Sequence, residues 1–391
     1  MQFAFSPEDE AFRQEVRDFY EQELPADWYG GYDERDSMHE YIRSVRKKLA
    51  DKQWLTMAWP KEYGGQDAPI TQQLIFAEES AYYRFNARDQ GVGFLGPAIW
   101  MHGTEEQKER FLGPISSADV AFHQGFSEPD AGSDLAGLQT RAYRDGDDYV
   151  INGQKIWGGH LHVADYSFLL ARTDPEAPKH KGISFFVIPA DTPGIRYEEF
   201  GNLSGGTQNL VYYDDCRVNA RECLIGEENQ GWYIATTVLN HERTVVEHAP
   251  NAKRQIQDLV KVWHDLGWNA DDPIKANVRH RLAQIAIEAE VCLMLAYRIG
   301  WLQSTGQHPS YEASQVKIFG SEMTQRMAHI AGALLGLYGQ IERHTDKREY
   351  VFADGRVEHL IRMQLMYSLI GGANEIQRNV IAGRGLGLPR S

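Results

Sequence analysis

Cysteine is scarce in this 391-residue chain: only Cys216, Cys223 and Cys292 occur, too few and too scattered for a disulfide framework or a zinc site. Free thiols in a reducing compartment are expected, and no metal. Positive charge is also in deficit, with 40 Lys and Arg against 55 Asp and Glu for a net charge of −15. That balance disfavours nucleic acid or an anionic membrane surface as the main partner, and an anionic ligand would need a locally basic pocket. Long apolar runs are missing. No stretch reaches the roughly 18 apolar residues of a membrane span, and Met1 to Arg13 alternates apolar with acidic residues, unlike a signal-peptide core. No membrane insertion and a cytoplasmic location are expected. Repeats and low-complexity tracts are absent as well.

What the chain does have is length enough for two or three packed units. Ser6-Pro7-Glu8-Asp9 is a helix start, and Thr104-Glu105-Glu106 opens a helix closing near Leu112-Gly113-Pro114, so the first third is read as helical. Asp145-Gly146 and Asn152-Gly153 read as tight turns joining strands at 138–144, 149–151 and 155–157 into an antiparallel meander. Further strands are expected at 167–172, 182–189 and 210–213, the β region closing near residue 230. Beyond it, Val316, Phe319, Met323, Met327, Ile330, Leu334 and Leu337 recur at intervals of three and four, one face of a long helix. Over 279–302, Leu282, Ile285 and Ala289 form one apolar stripe and Ile287, Val291 and Met294 a second, so this helix is expected between neighbours, at a subunit contact. Trp268 to Pro273 reads as a loop. The fold class is therefore α+β: an N-terminal helical domain (1–121), a central antiparallel β-domain (122–232) and a C-terminal helix bundle (233–391).

The segment from Gln124 to Asp134, Gln-Gly-Phe-Ser-Glu-Pro-Asp-Ala-Gly-Ser-Asp, combines hydroxyls, turn residues and backbone donors that suit a polar cofactor edge or a phosphate, though such a string alone is weak evidence. Together with Ile151-Asn152-Gly153-Gln154-Lys155-Ile156-Trp157 and Leu170-Ala171-Arg172-Thr173-Asp174, it closely resembles the β-domain signature of the acyl-CoA dehydrogenase family. The resemblance continues through 182–186 and 226–232 to Ile370-Gly371-Gly372-Ala373-Asn374-Glu375-Ile376-Gln377-Arg378, nearly the whole chain.

That resemblance implies an FAD enzyme acting on an acyl-CoA thioester: a carboxylate removes the α-proton while the β-hydride passes to the flavin. The α-proton is too weakly acidic for a bare carboxylate, so the thioester oxygen must be held by donors that stabilise enolate-like charge, and desolvation by the acyl chain should raise the pKa of the base. In relatives one donor is a backbone N–H of the C-terminal motif, here that of Gly371. Many members carry the catalytic glutamate at the position Gly371 occupies. A branch that includes long-chain and isovaleryl types instead places it on a helix after the β-domain, before an arginine, and Leu239-Asn240-His241-Glu242-Arg243 stands there. Glu242 is the implied base, with Asn240, Arg243, Ser133 and Gly372 toward the substrate. Gln124, Phe126, Ser127, Gly132, Ser133, Trp157, Gly159, Ala373 and Glu375 are implied around the FAD.

Departures from the family pattern leave alternatives open. Gly159 replaces the usual Thr or Ser donor. The second signature, which holds the FAD of a neighbouring subunit, is reduced to Leu335-Gly336-Leu337-Tyr338-Gly339, and the arginine and Phe-Gly pair expected near 262–270 are absent. The family implies a homotetramer or homodimer passing electrons to an electron-transfer flavoprotein. The alternatives are a partner subunit of a heteromeric acyl-CoA dehydrogenase, a flavin monooxygenase on the same fold, and an oxidase. Gly96-Pro97 and Trp100 are candidates for the acyl pocket. His160 and His162 are read as polar loop residues, and Gly383 to Gly387 as a flexible tail without dinucleotide context.

Overall fold

A computed structural model describes residues 4–26, 28, 30, 36–204, 206–241, 246–267, 273–307 and 309–389. Helices α1 (Pro7–Glu23), α2 (Asp36–Asp51), α3 (Ile70–Tyr82), α4 (Gly96–His102) and α5 (Glu105–Ser116) come first. Ser6 and Thr104 each close a capping box at the start of α1 and α5, satisfying N–H groups that a helix start leaves without partners. Helix α5 continues through Pro114 to Ser116, past the expected stop at Gly113-Pro114.

Strands β1 (Phe122–Gly125), β2 (Arg141–Asp145), β3 (Asp148–Gly158), β4 (Tyr166–Arg172), β5 (Ile183–Pro189), β6 (Ile195–Gly201), β7 (Thr207–Asn219) and β8 (Leu224–Ile225) make one sheet in the order β6-β7-β3-β2-β4-β5-β8, with β1 beside β4. A simple meander is therefore incorrect. The β1–β4 and β2–β4 pairings are parallel, and the other pairings are antiparallel. Asp145-Gly146 does begin the β2–β3 turn, with Gly146 at φ 65°, whereas Asn152-Gly153 is a bulge inside continuous β3, where the register against β7 slips. Gly153 sits at φ 149°, and a Cβ there would lie 2.6 Å from Thr140, so the close approach of β2 demands glycine. Strand β6 was not anticipated: its exposed Arg196, Tyr197, Glu198 and Glu199 give no apolar alternation to read.

The sheet buries both faces. Phe168 and Leu170 of β4 join the core shared with α1–α5, while Leu169 and Ala171 pack on the opposite side with Tyr149, Ile151 and Phe186. After α6 (Ala220–Cys223), helices α7 (Gly231–His241), α8 (His248–Asp265), α9 (Pro273–Ser304), α10 (Glu312–Leu335), α11 (Arg356–Tyr367) and α12 (Asn374–Val380) follow, with a separate core drawn from α8 to α11. In α10, Val316, Met323, Met327, Ile330 and Leu334 are buried as expected, but Leu337 falls beyond the helix end at Gly336 and is 82% exposed. In α9 the stripe of Leu282, Ile285 and Ala289 is buried, whereas Ile287, Val291 and Met294 face outward. The expected loop at 268–272 lies outside the described residues, and Pro273 opens α9. Gly383 to Gly387 is no tail: Ile381–Gly385 extends α12 as a π-turn whose Gly385 packs on Tyr311. The three cysteines are free and buried, and burial pushes Cys216 and Cys223 up to about 11 and Cys292 to about 12. Among the described residues no helix is long and apolar enough to cross a membrane.

Candidate active site

The loop after β1 is anchored by a buried ion pair. Lys155 has no exposed surface, and its Nζ donates to the Phe126 carbonyl at 3.1 Å and to Glu128 Oε1 at 2.8 Å. Glu128 also accepts the backbone N–H groups of Gln139 and Thr140 at 2.5 and 2.9 Å, so its lone pairs are satisfied as a buried carboxylate requires. Burial pulls the Lys155 ammonium down to about 8 despite Glu128, and Lys155 with the N–H donors holds Glu128 below its ordinary range against its own desolvation. The Ile156 N–H donates to the Ser127 carbonyl at 2.9 Å, which ties the loop to β3.

Five of the residues expected around the cofactor are thereby brought together. Gln124 lies on β1, and Phe126 is buried edge-on to Phe168 and Phe185. Ser127 is half-buried beside β3. Trp157 ends the regular part of β3 at φ 72°, is 58% exposed, and meets Phe200 of β6 edge-on at 5.4 Å. Positive φ in a bulky residue is strained backbone, and such strain concentrates at functional sites. Gly158 is forced by packing, since a Cβ there would lie 2.2 Å from His123 Nε2 and 2.6 Å from the Gln124 carbonyl. Gly159 follows, 3.3 Å from the Thr207 carbonyl on the same measure. His123 donates or accepts at Ser167 Oγ, 2.9 Å away, and burial, with His160 adding, pulls its imidazole down to about 4. Gly132 and Ser133 are exposed at the far end of the loop.

A second group is the turn between α11 and α12. Gly371 and Gly372 have φ 64° and 84°, a conformation that favours glycine. Gln377 Nε2 donates to the carbonyls of both, at 3.0 and 3.3 Å, and the Asn374 N–H closes the turn on the Ser368 carbonyl at 2.9 Å. A Cβ built on Gly371 meets nothing within 4 Å, so the turn is open on that side. Ala373 precedes α12 and Glu375 is exposed in its first turn. The two groups are tethered through the β6–β7 connection. Phe200 contacts Trp157 there, while the Leu203 carbonyl accepts from Arg362 of α11 at 3.1 Å.

Glu242 and Arg243 lie outside the described residues, as does the side chain of Asn240 at the end of α7. Glu247 is exposed in a turn ahead of α8. Gly96 is buried against Trp59, where a Cβ would lie 2.0 Å from the indole. Trp100 is half-buried and stacked on Tyr63. Among the described residues, no cluster of His, Cys, Asp or Glu could hold a metal ion. Lys155, Glu128 and His123 were missed by sequence reasoning. A lysine two residues before the strand's tryptophan was the available signal.

Models of three family domains match in chain order: acyl-CoA dehydrogenase N-terminal domain over residues 6–119, middle domain over 124–214 and C-terminal domain over 229–386. The chain belongs to the acyl-CoA dehydrogenase family, and it is an oxidoreductase that is FAD-dependent by family. It is 34% identical to acyl-CoA dehydrogenase FadE26 of Mycobacterium tuberculosis with both chains covered in full. Among solved structures it is similar to the Tcur3481-Tcur3483 steroid ACAD (34% identity, TM-score 0.90, all of both chains). It is likewise similar to the ChsE4-ChsE5 complex from Mycobacterium tuberculosis (33%, TM-score 0.88, all of both chains).

Proposed function

We propose that this chain desaturates an acyl-CoA thioester between its α and β carbons in the cytoplasm, with Glu242 as the base and a steroid-bearing acyl group as the substrate class. The observation that carries the reading is the Gly371-Gly372 turn, whose carbonyls are fixed by Gln377 and whose Gly371 has open space on its Cβ side. The steroid assignment is supported by the name of one similar structure.

The residues present fit FAD. An indole left 58% exposed on strained backbone, beside the loop fixed by Lys155, is apolar surface that a flat ring system would cover. Gln124, Phe126, Ser127 and Trp157 would hold the ring, with Gly132 and Ser133 toward its phosphates, and Gly159, Ala373 and Glu375 completing the contact. When bound, FAD supplies the acceptor for the β-hydride. The Gly371 N–H would polarise the thioester oxygen and make the α-proton removable. Glu242 would take that proton, and Arg243, Asn240, Ser133 and Gly372 would position the ester. Glycine at 371 supports the base lying elsewhere, because the backbone there is left-handed, where a glutamate would be strained.

Glu242→Gln should retain bound FAD but slow flavin reduction by at least about a hundredfold, the low end for a positioned base, while Glu247→Gln leaves it near wild type. Rapid mixing with substrate measures both, and unchanged bleaching in Glu242→Gln would remove Glu242 from the mechanism. A second reading, a subunit that works beside a related partner chain, is favoured by the degenerate turn at 336–340 and its 82% exposed Leu337. Light scattering of the chain purified alone and fully loaded with FAD decides between them: a stable homo-oligomer supports self-assembly, and a FAD-poor species supports the partner.

A further inference from the structure

The turn that would polarise the thioester is not held by its own bonds alone. Its seven residues from Ser368 to Asn374 join α11 to α12, and both ends converge on one side chain. Lys317 of α10, 8% exposed, donates from Nζ to the Ser368 carbonyl at 3.2 Å and to Asn374 Oδ1 at 2.8 Å. Ser321 lies one turn further along and exchanges hydrogen bonds with Asn374, Oγ to Oδ1 at 3.2 Å and Nδ2 to Oγ at 3.0 Å. Ser314 lies one turn before and donates to Gln377 Oε1 at 2.6 Å. That bond leaves Gln377 Nε2 free to donate to the Gly371 and Gly372 carbonyls. Spacings of three and four put Ser314, Lys317 and Ser321 on one face of α10, a polar stripe beside the apolar one that builds the core.

We infer that Lys317, supported by Ser314 and Ser321, is the positioning residue that fixes the Gly371-Gly372 turn and so aims its backbone donor at the thioester oxygen. Lys317 does not touch the substrate in this account. It acts by clamping both ends of the turn, since a donor displaced by an ångström loses most of its effect. An ammonium suits the task because charge-assisted bonds to a carbonyl and an amide oxygen are stronger than neutral ones. The charged and titratable groups around it are Glu375 of α12 and His248 of α8: burial pulls the Lys317 ammonium down to about 8 while Glu375 favours its charge, and burial with Lys317 pulls the His248 imidazole down to about 4. The inference rests on the proposed role of the Gly371 N–H.

The test is the preference for a thioester over a thioether. The FAD-loaded protein is titrated with the 2-enoyl-CoA of whichever acyl chain bleaches it fastest, and with the same chain as a CoA thioether lacking the carbonyl oxygen. Wild type should bind the thioester about tenfold tighter, the value of one hydrogen bond to developing charge. Lys317→Met should bring the thioester affinity down toward that of the thioether and leave the thioether unchanged, and Lys317→Arg should recover part of the preference. Met fits the space, and Ser321 and the Asn374 N–H still satisfy the oxygens that Lys317 releases, so folding should survive. Should Lys317→Met not fold, Ser321→Ala, which removes one support of Asn374, should narrow the preference by about threefold. A preference kept intact, or an equal loss for both ligands, overturns the inference. A wild type indifferent to the carbonyl overturns it too, by a distinguishable route, because the Gly371 reading fails first.

Discussion

Lys155 and Glu128 show how much rests on single side chains beneath the candidate cofactor loop. The ammonium is fully buried against one carboxylate and one carbonyl, and removing either charge strands the other. Lys155→Met should destabilise the protein by about 3–5 kcal/mol, and adding Glu128→Leu should recover much of that loss. Urea unfolding of the three proteins measures this, and equal stability of single and double variants would contradict it. The recovered double variant should still bind FAD weakly, because the Phe126 carbonyl has lost its donor. Imidazoles packed into the core, fully for His123 and partly for His248 and His359, work against stability in acid. His123, His248 and His359 are each pulled to about 4, by burial first and then by His160, Lys317 and Arg362 respectively. The unfolded chain takes up these protons first, near 6.5, so stability is full above that pH and is lost as pH falls toward 4. Each contributes about 1.4 kcal/mol per pH unit inside the window. Unfolding free energies that stay flat between pH 6.5 and 5 would contradict the buried neutral assignment.

At the scale of elements, β3 holds the candidate cofactor loop in place. Its bulge at Gly153 re-aims the strand, Lys155 turns inward, Trp157 turns outward, and Gly158 lets the strand pass over β1. Gly158→Ala should therefore lower the thermal midpoint by several degrees and weaken FAD binding, since its Cβ would collide with His123 and the Gln124 carbonyl. A neutral effect on both would mean that the strands separate more easily than the contacts imply. Helix starts were legible because a capping box is local chemistry, as Ser6 and Thr104 show, and α10 was legible because its buried face repeats at the helical period. Asn152-Gly153 misled because the same dipeptide serves a hairpin turn or a bulge, and the difference is set by β2 and β7 lying on either side. The parallel β1–β4 pairing was hidden for the same reason: Phe122 and Tyr166 are 44 residues apart in register partners, and alternation says nothing about which strand lies alongside. The polar stripe of Ser314, Lys317 and Ser321 was in the sequence throughout, but its meaning depends on Asn374, which only the fold brings to it.

On the scale of the whole molecule, the outer face of α9 is the feature one chain leaves unexplained. Ile287, Val291, Met294 and Trp301 are 59%, 43%, 46% and 56% exposed, away from the buried stripe of Leu282, Ile285 and Ala289 on the same helix, and apolar stripes of this kind mark association surfaces. If this face packs on another copy, the triple variant Ile287→Asp, Val291→Asp, Met294→Asp should be smaller than the unaltered chain in light scattering without loss of helical content, and an unchanged mass would place any contact elsewhere. Three-part architecture, family and cofactor class were reachable from motifs because they depend on short strings that survive divergence. The acyl pocket was not, because its depth is set by how helices pack, which no short string records. Removal of two hydrogens from an acyl-CoA is checked by mixing the FAD-loaded protein, without oxygen, with a panel of acyl-CoA thioesters that includes a steroid side chain. At least one ester should bleach the flavin absorbance and give an enoyl-CoA product two hydrogens lighter by mass. A flavin that stays oxidised with every ester, or a product that appears only with oxygen and carries an added oxygen atom, would contradict it.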